Sequence, residues 1–533
     1  MHTALWLVPL ILLCLSGLTG CGGTAGDTTA STDTGSAPAR EQHFIFNNGA
    51  EPEYLDPGKA TGSPGIRLIN QLFEGLTTLD PKTLEPLPGM AERWDIDEAG
   101  TTWTFHLRAN AKWSDGSPLT ADDFRRSWLR VLNPATGAKY ATQLYLIEGA
   151  EARHQGGSED AVGITVIDDH TLQVRLRGPA PYFLELLAFT TYMPVPAEPI
   201  AAHGDAWTQA DTIIGNGPFV LAEWAERERI VLVPNEHYHG RDSIRLERIT
   251  ALPHENIESV YQQYLSGAVH WINSVPASKI AEVKRHPDFY TAPFLASYYY
   301  RFNCTVAPFN DVRVRRALTM AIDRQYLVDN VTALGEIPAT AFTPPMAQYQ
   351  PPNGLGYDPE GAKKLLAEVR SEGVTIDTVE ILFNDRDTHR KIAEAIAQMW
   401  RETLGIEVAA RGAEWKSYMK SMDQLDYQIV RSSWVGDYSD PYTFLSCFRT
   451  DDGNNRTGWT DPAYDTALDA SQLIQDPAKR AAAYTELEQR LLAGQPIAPI
   501  YVAINKGLKK PFVRGLHQNI RDLLYCRSVY LED

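Results

Sequence analysis

Apolar and polar residues alternate with period two over residues 101–108 (TTWTFHLR) and again over 171–177 (TLQVRLR), while 229–233 (RIVLV) is a short apolar run. Period two puts successive side chains on opposite faces of a strand, so the first half of the chain is predicted to be strands and turns. Helical signals enter later. Asp358-Pro359 supplies an N-cap and a proline at the first helical position before EGAKKLLAEVR, and Asp461-Pro462 does the same before AYDTALDASQLI. In between, TVEILF (378–383) is strand-like, residues 391–404 carry Ile392, Ile396, Met399 and Thr403 on one helical face, Gly405 stops that helix, and IEVA (406–409) is a second strand. This is a βαβ unit and implies a parallel or mixed sheet. Residues 384–389 then fall beyond the carboxyl end of its first strand, where open α/β sheets bind ligands. No repeat of solenoid length is visible.

One apolar run belongs to neither period. Residues 5–18 are almost wholly apolar, the length of a signal-peptide core and short of the roughly 20 residues a spanning helix needs. Leu18-Thr19-Gly20-Cys21 closes the run as a bacterial lipoprotein signal does, so residues 1–20 read as a signal peptide and Cys21 as the lipid acceptor. Cys14 fits less well, because Leu13 before it is too large. Residues 1–4 lack Lys and Arg, and an ordinary signal peptide or a misread start stays open. Residues 21–40 follow as a flexible tether, rich in Gly, Thr, Ser, Ala and Asp. A single acyl chain holds only marginally, so durable anchoring at Cys21 requires several. No later segment is long and apolar enough to span a bilayer.

Length and charge narrow the function. A chain of 533 residues exceeds one hydrophobic core and calls for two or three lobes. A net charge of -18 argues against nucleic acid and against a broad grip on anionic lipid. Besides Cys14 and Cys21 there are Cys304, Cys447 and Cys526. At most one disulfide can form among these three, and Cys447 with Cys526 and three buried thiols are both open. His237 and His239 flank Tyr238 and read as polar surface rather than a ligand set. There is no CxxC, HExxH, GxSxG or P-loop, so no metal, no cofactor and no enzyme is expected.

Five segments carry a resemblance: LFEGL (72–76), WTFHLRANAKWSDGSPLTADDF (103–124), IGNGPF (214–219), FNDVRVRRAL (309–318) and RSSWVGDYSDPYTFL (431–445). In this order, behind a lipoprotein signal, the chain from about Phe44 to its C-terminus resembles the oligopeptide-binding proteins of bacterial ABC importers, the extracytoplasmic solute-binding proteins of family 5. The resemblance implies an α/β, three-lobed, periplasmic-binding-protein-like fold of type II with an extra inserted lobe and ligand between lobes I and III. Lobe I would be 41–74, 200–295 and 505–533, lobe II 75–199, and lobe III 296–504. The implied function is a monomeric receptor, lipid-anchored and facing outward from a bacterial envelope membrane. It would capture oligopeptides and deliver them to an inner-membrane ABC permease and ATPase complex.

The resemblance also implies site residues. Asp437, in Trp434-Val435-Gly436-Asp437-Tyr438, matches the family aspartate that pairs with a peptide's α-amino group; by local sequence alone it is a turn residue before Ser439-Asp440-Pro441. Tyr140 matches a tyrosine that helps hold the same end. Thr61 to Ser63 and Val435 to Asp437 match strands that pair with the peptide backbone. Trp415 and Trp434 match aromatics that line side-chain pockets, although a tryptophan is more often core. Arg431 and His389 match basic groups able to meet the terminal carboxylate. Two further basic positions are lost, to Thr332 and Met422, and Ala296 and Val435 replace a pair of cysteines. A dipeptide, murein peptide, nickel complex or oligosaccharide remains a possible cargo on the same fold. A membrane-anchored hydrolase and a surface peptide sensor are the readings from other classes.

Overall fold

Two long strands organise the molecule. Phe289–Phe302 (14 residues) and Ile497–Lys509 (13 residues) pair antiparallel over most of their length, with register shifts between Pro293 and Ser297 and again after Tyr298. This computed structural model describes residues 40–533 apart from Ala347 and Gln348, so the expected signal, the tether and Cys21 lie outside the described residues. The first long strand reads YYYRF at its end, and from Leu295 to Phe302 every residue is buried, as a central strand covered on both faces requires.

The pair sits in the middle of an 11-stranded mixed sheet. Beyond Ile497–Lys509 lie Trp271–Ile272, His43–Asn47, Arg248–Leu252, Arg229–Pro234 and Phe219–Ala225, with His43–Asn47 and Arg248–Leu252 parallel. Beyond Phe289–Phe302 lie Ile429–Val435, Thr378–Asn384 and Glu407–Ala413. The predicted βαβ unit is present there: Thr378–Asn384 and Glu407–Ala413 pair in parallel, and Gly405 ends the intervening helix in the left-handed conformation at φ +65°. That helix, Asp387–Leu404, starts a turn earlier than its apolar face predicts. Its first turn, Asp387-Thr388-His389-Arg390, is polar and carries no periodicity.

A separate four-stranded antiparallel sheet runs in the order Ala91–Ile96, Thr102–Leu107, Thr171–Arg175, Ile164–Asp168. Trp103, Phe105 and Leu107 form its buried face, and Phe183 packs edge-on against Trp103 at 5.3 Å. The helix Ala121–Val131 also packs on this sheet; it opens on a capping box, with the Asp123 carboxylate accepting from the Thr120 N–H at 2.7 Å. The two proline-initiated helices span Pro359–Ser371 and Pro462–Ser471, with Asp358 and Asp461 capping main-chain N–H groups.

Cys304, Cys447 and Cys526 are free thiols, so the Cys447–Cys526 pairing is not formed. Cys447 is held in the turn after Leu445, its Sγ 3.4 Å from the Thr443 carbonyl, whereas Cys526 is fixed against the helix Ser63–Leu72 through Gln71. His237 and His239 lie on a turn rather than a strand, and His239 Nε2 sits 2.6 Å from the buried carboxylate of Glu74, which also accepts from the Tyr238 hydroxyl at 2.8 Å.

One buried carboxylate pins the chain that leads away from the long strands. Glu488 accepts from the N–H groups of Phe342 and Thr343 at 2.7 and 2.8 Å and from the Tyr349 hydroxyl. Glu488→Ala strands two buried main-chain donors and a hydroxyl, and is expected to cost about 3 kcal/mol or more. Denaturant unfolding should show a lowered midpoint; an unchanged midpoint would mean water replaces the carboxylate.

Candidate functional site

The strand Ile429–Val435 sends alternate side chains to opposite faces. Arg431, Ser433 and Val435 face a cavity of about 260 Å³, while Trp434 turns the other way and packs against Tyr140 at 6.0 Å. Thr378–Asn384 pairs with this strand only at Ile429 and Val430. Among the described residues its edge from Arg431 onward therefore has no neighbouring strand on that side, and an extended chain can add there.

A second cavity of about 70 Å³ adjoins the first, and Ser63, Arg67, Phe294, Val435 and Asp522 line both. Asp437 lies in the smaller one. Its Oδ2 accepts from Gln143 Nε2 at 2.9 Å and from the Thr443 hydroxyl at 3.3 Å, and its Oδ1 from the Tyr140 hydroxyl at 3.4 Å. The Asp437 N–H is itself held by the Thr443 oxygen at 2.9 Å. All three donors to the carboxylate are neutral. Arg521 is the nearby cation, but it donates to the Asp437 carbonyl and faces Glu185 at 3.5 Å, not the carboxylate. Burial therefore dominates and pushes the Asp437 carboxyl up to about 8, against the lowering effects of Arg521, Thr443 and Tyr140. Desolvation without a counter-ion keeps the carboxyl protonated until a cationic ligand favours its ionised form.

The larger cavity is basic. Arg431 donates to Asn384 Oδ1 and Ser433 Oγ, each at 3.2 Å, and lies over the Tyr298 ring at 4.6 Å. Its Nε is buried without a partner. His389 lies in the same wall, its Nδ1 3.2 Å from the Tyr298 hydroxyl. Desolvation, and then the charges of Arg431 and Arg386, hold its pKa well below the ordinary histidine value. His389 is thus a neutral hydrogen-bonding group and supplies no charge.

Trp415 lines the larger cavity with its indole N–H unpartnered, and presses on Gly62, where an added Cβ would come within 3.0 Å of the ring. Ser63 opens into both cavities. Thr61 is not among the lining of either, and its hydroxyl accepts from Arg456 at 3.3 Å. The expected strand at Thr61 to Ser63 is absent: Thr61 and Gly62 are irregular, and Ser63 begins the helix Ser63–Leu72, because Pro64 favours a first helical turn and Leu68, Ile69 and Leu72 bury one face. Trp434 is likewise outside the lining of both cavities, since it occupies the far face of its strand. Thr332 lines the basic cavity but is spent on Glu336 at 2.8 Å, and Met422 is core beside Tyr418. Ala296 and Val435 are direct cross-strand partners.

Gln143 and Thr443 escaped the sequence reading, as did Arg386. Arg386 lies within residues 384–389, the stretch expected beyond the carboxyl end of the βαβ unit's first strand. Gln143 follows Tyr140 by one turn of the short helix Ala141–Leu146, but nothing local marks it. A further cavity of about 970 Å³ adjoins the basic one through Phe294, Leu334, Ala503 and Ile504 and is lined mainly by apolar residues such as Leu295, Ile337 and Tyr349. Its acidic and basic groups, Asp440 and Arg480, are already paired at 3.1 Å, so it lacks an acidic and a basic group without ionic partners such as Asp437 and Arg431.

Residues 85–456 match the family model described as bacterial extracellular solute-binding proteins, family 5 Middle. The chain belongs to this family. It is similar to the periplasmic oligopeptide-binding protein OppA of Escherichia coli K12, 37% identical with 95% of this chain and 96% of that protein covered. Among solved structures, the murein tripeptide binding protein MppA of E. coli matches with a TM-score of 0.89 at 36% identity, covering 93% of this chain and 99% of the other. OppA of Haemophilus influenzae in complex with the peptide RPPGFSPFR matches with a TM-score of 0.89 at 33% identity, covering 92% and 99%. The fold is therefore the α/β periplasmic-binding-protein-like fold of this family. The unliganded open form of MppA matches at only 0.62 with the same 36% identity, covering 93% and 98%. Equal sequence with unequal overlay is a difference of conformation, and this chain resembles MppA in the arrangement that is not the open one.

Proposed function

We propose that the protein is a non-catalytic extracytoplasmic receptor that captures oligopeptides and hands them to an ABC importer's permease and ATPase complex. One observation carries the reading. A carboxyl group with only neutral hydrogen-bond donors, Asp437, lies two residues beyond the end of the strand Ile429–Val435, and a guanidinium with no carboxylate partner among the described residues, Arg431, lies on that strand's open edge. A free peptide is the complement of that arrangement, with an ammonium at one end, a carboxylate at the other and an extended backbone between. Trp415, Val435 and Ser63 line the enclosure, Tyr140 supports it through its hydroxyl on Asp437, and His389 adds a neutral hydrogen bond near the carboxylate. Thr61 and Trp434 act from behind it. The names of the relatives, oligopeptide- and murein peptide-binding proteins, support a peptide cargo.

The lobes expected from the sequence fit this role. The boundaries proposed after residues 295 and 504 fall within the two long strands, near the register shift at Pro293 to Ser297, which makes those strands the hinge on which lobe III closes over lobe I. Ligand bridging the lobes stabilises the closed state, and the permease reads that state. Cleavage before Cys21, its lipidation, and the tether of residues 21–40 would hold a monomeric receptor at the membrane.

Native mass spectrometry of the purified full chain tests the reading. Bound masses that resolve on denaturation into intact peptides are expected. An added peptide recovered as fragments would replace the receptor with a hydrolase, and a retained sugar or metal complex would move the cargo to another class.

A further inference from the structure

The basic cavity carries more positive charge than one terminal carboxylate uses. Of its cations, Arg67 is paired with Asp522 at 3.3 Å and Lys506 with Glu336, and His389 is held uncharged. Arg431 and Arg386 remain. Among the described residues no carboxylate comes within 4.0 Å of either guanidinium.

Arg386 caps the helix Asp387–Leu404 from an extended conformation, which swings its side chain into the cavity. It makes a single hydrogen bond, from Nη2 to the Gly49 carbonyl at 3.2 Å. Gly49 leaves the space it occupies, for a Cβ there would stand 2.8 Å from Nη2, and the φ of +84° already excludes most side chains. Glu255 is the acidic group whose charge acts on Arg386, yet its carboxylate accepts from the Trp415 main-chain N–H at 3.5 Å. Desolvation, then the field of Arg431, pushes Arg386 down to about 10. Two like charges confined in one cavity without counter-ions are unfavourable until anions arrive.

At the amino end the ligand ammonium and Asp437 cancel. A peptide with one carboxylate at the other end leaves one of the two guanidiniums uncompensated, whereas a second carboxylate answers both, since Asp387, which also lines the cavity, is paired with Lys391 at 3.0 Å. Each guanidinium offers a planar fork suited to a carboxylate.

We propose that Arg386 and Arg431 form a two-carboxylate site, and that the preferred ligands are peptides whose carboxyl-terminal residue also carries a side-chain carboxylate. The proposal rests on the peptide-receptor reading and assigns Arg386 as the residue that sets this specificity.

Isothermal titration at neutral pH tests it, using alanine-based peptides of stepped length that end in Glu, end in Gln, or carry Glu at the amino end instead. The peptide ending in Glu should bind about tenfold or more tightly than both controls. Arg386→Met should collapse that ratio to about one, and Arg386→Lys should restore part of it, since a charge without the fork remains. A ratio near one in the unaltered protein overturns the proposal and leaves the peptide reading standing. A ratio that survives Arg386→Met overturns the role of Arg386. Failure of every peptide to bind overturns both readings.

Discussion

Asp437→Ala is expected to weaken binding of a free-amino peptide by about two to three decades, the cost of leaving one member of a buried ion pair without its partner. The ligand ammonium would then face the hydroxyls of Thr443 and Tyr140 and the amide of Gln143, since the other carboxylates lining that cavity, Glu185 and Asp522, already face Arg521 and Arg67. The substitution should not unravel the site. The Asp437 N–H and carbonyl, which bind Thr443 and Arg521, belong to the main chain and remain. The comparison that isolates the charge is the same peptide N-acetylated. It should bind the unaltered protein poorly and lose little more in the variant. Titration calorimetry, or the fluorescence of Trp415 in the cavity wall, reads both affinities. Equal losses for the free and acetylated peptides would show that Asp437 shapes the pocket rather than pairing with the amine.

The second large effect is on pH. Asp437 is held up to about 8 in the empty protein, chiefly by burial, but must be ionised to pair with an ammonium. Below that pKa, binding therefore expels a proton, and affinity should rise by up to about tenfold for each unit of pH gained. The gain flattens near pH 8, where the peptide's own α-amino group, with a reference pKa of about 7.7–8.0, begins to lose its charge. Asp452, bonded to Thr142 and pushed to about 6 by burial, titrates lower, so the upper part of the window belongs to Asp437. Titration in buffers of different ionisation heat should count the released proton directly.

The stability of the empty protein follows with its own sign. A carboxyl whose folded pKa stands above its unfolded value leaves the native state holding more protons, so its contribution is full below the unfolded pKa and is lost as pH rises through the folded one. Asp437→Asn should accordingly raise the melting temperature of the empty protein at pH 8, and the gain should shrink steadily toward pH 4. It should also abolish the pH dependence of binding. A flat affinity profile in the unaltered protein would mean that Asp437 is already ionised before ligand arrives.

Local signals were legible wherever the physics is local. The alternation at 101–108 and 171–177, the proline-initiated helices capped by Asp358 and Asp461, and the βαβ unit ended by Gly405 all involve residues within a few positions of one another. The family resemblance is legible for a different reason, five ordered segments spread from 72 to 445. The strand implied at Thr61 to Ser63 by the resemblance gives way to a helix from Ser63, because Pro64 starts a helical turn ahead of an apolar face.

By itself, then, the sequence determined the alternating strands, the proline-initiated helices, the βαβ unit, the α/β class and the family, but the helices Ser63–Leu72, Ala121–Val131 and Ile257–Leu265 stand in a first half expected to be strands and turns. Tertiary structure decided what the charged groups are worth. Asp437 gains its high pKa from burial beside Tyr140 and Gln143, which lie almost 300 residues earlier (297 and 294 positions away), and Arg386 occupies space left by Gly49, 337 positions away. Only the fold shows that His389 is neutral, that Arg386 has no counter-ion and that Trp434 turns from the cavity. Periodicity and capping act between neighbours in the chain, whereas desolvation and ion pairing act between neighbours in space.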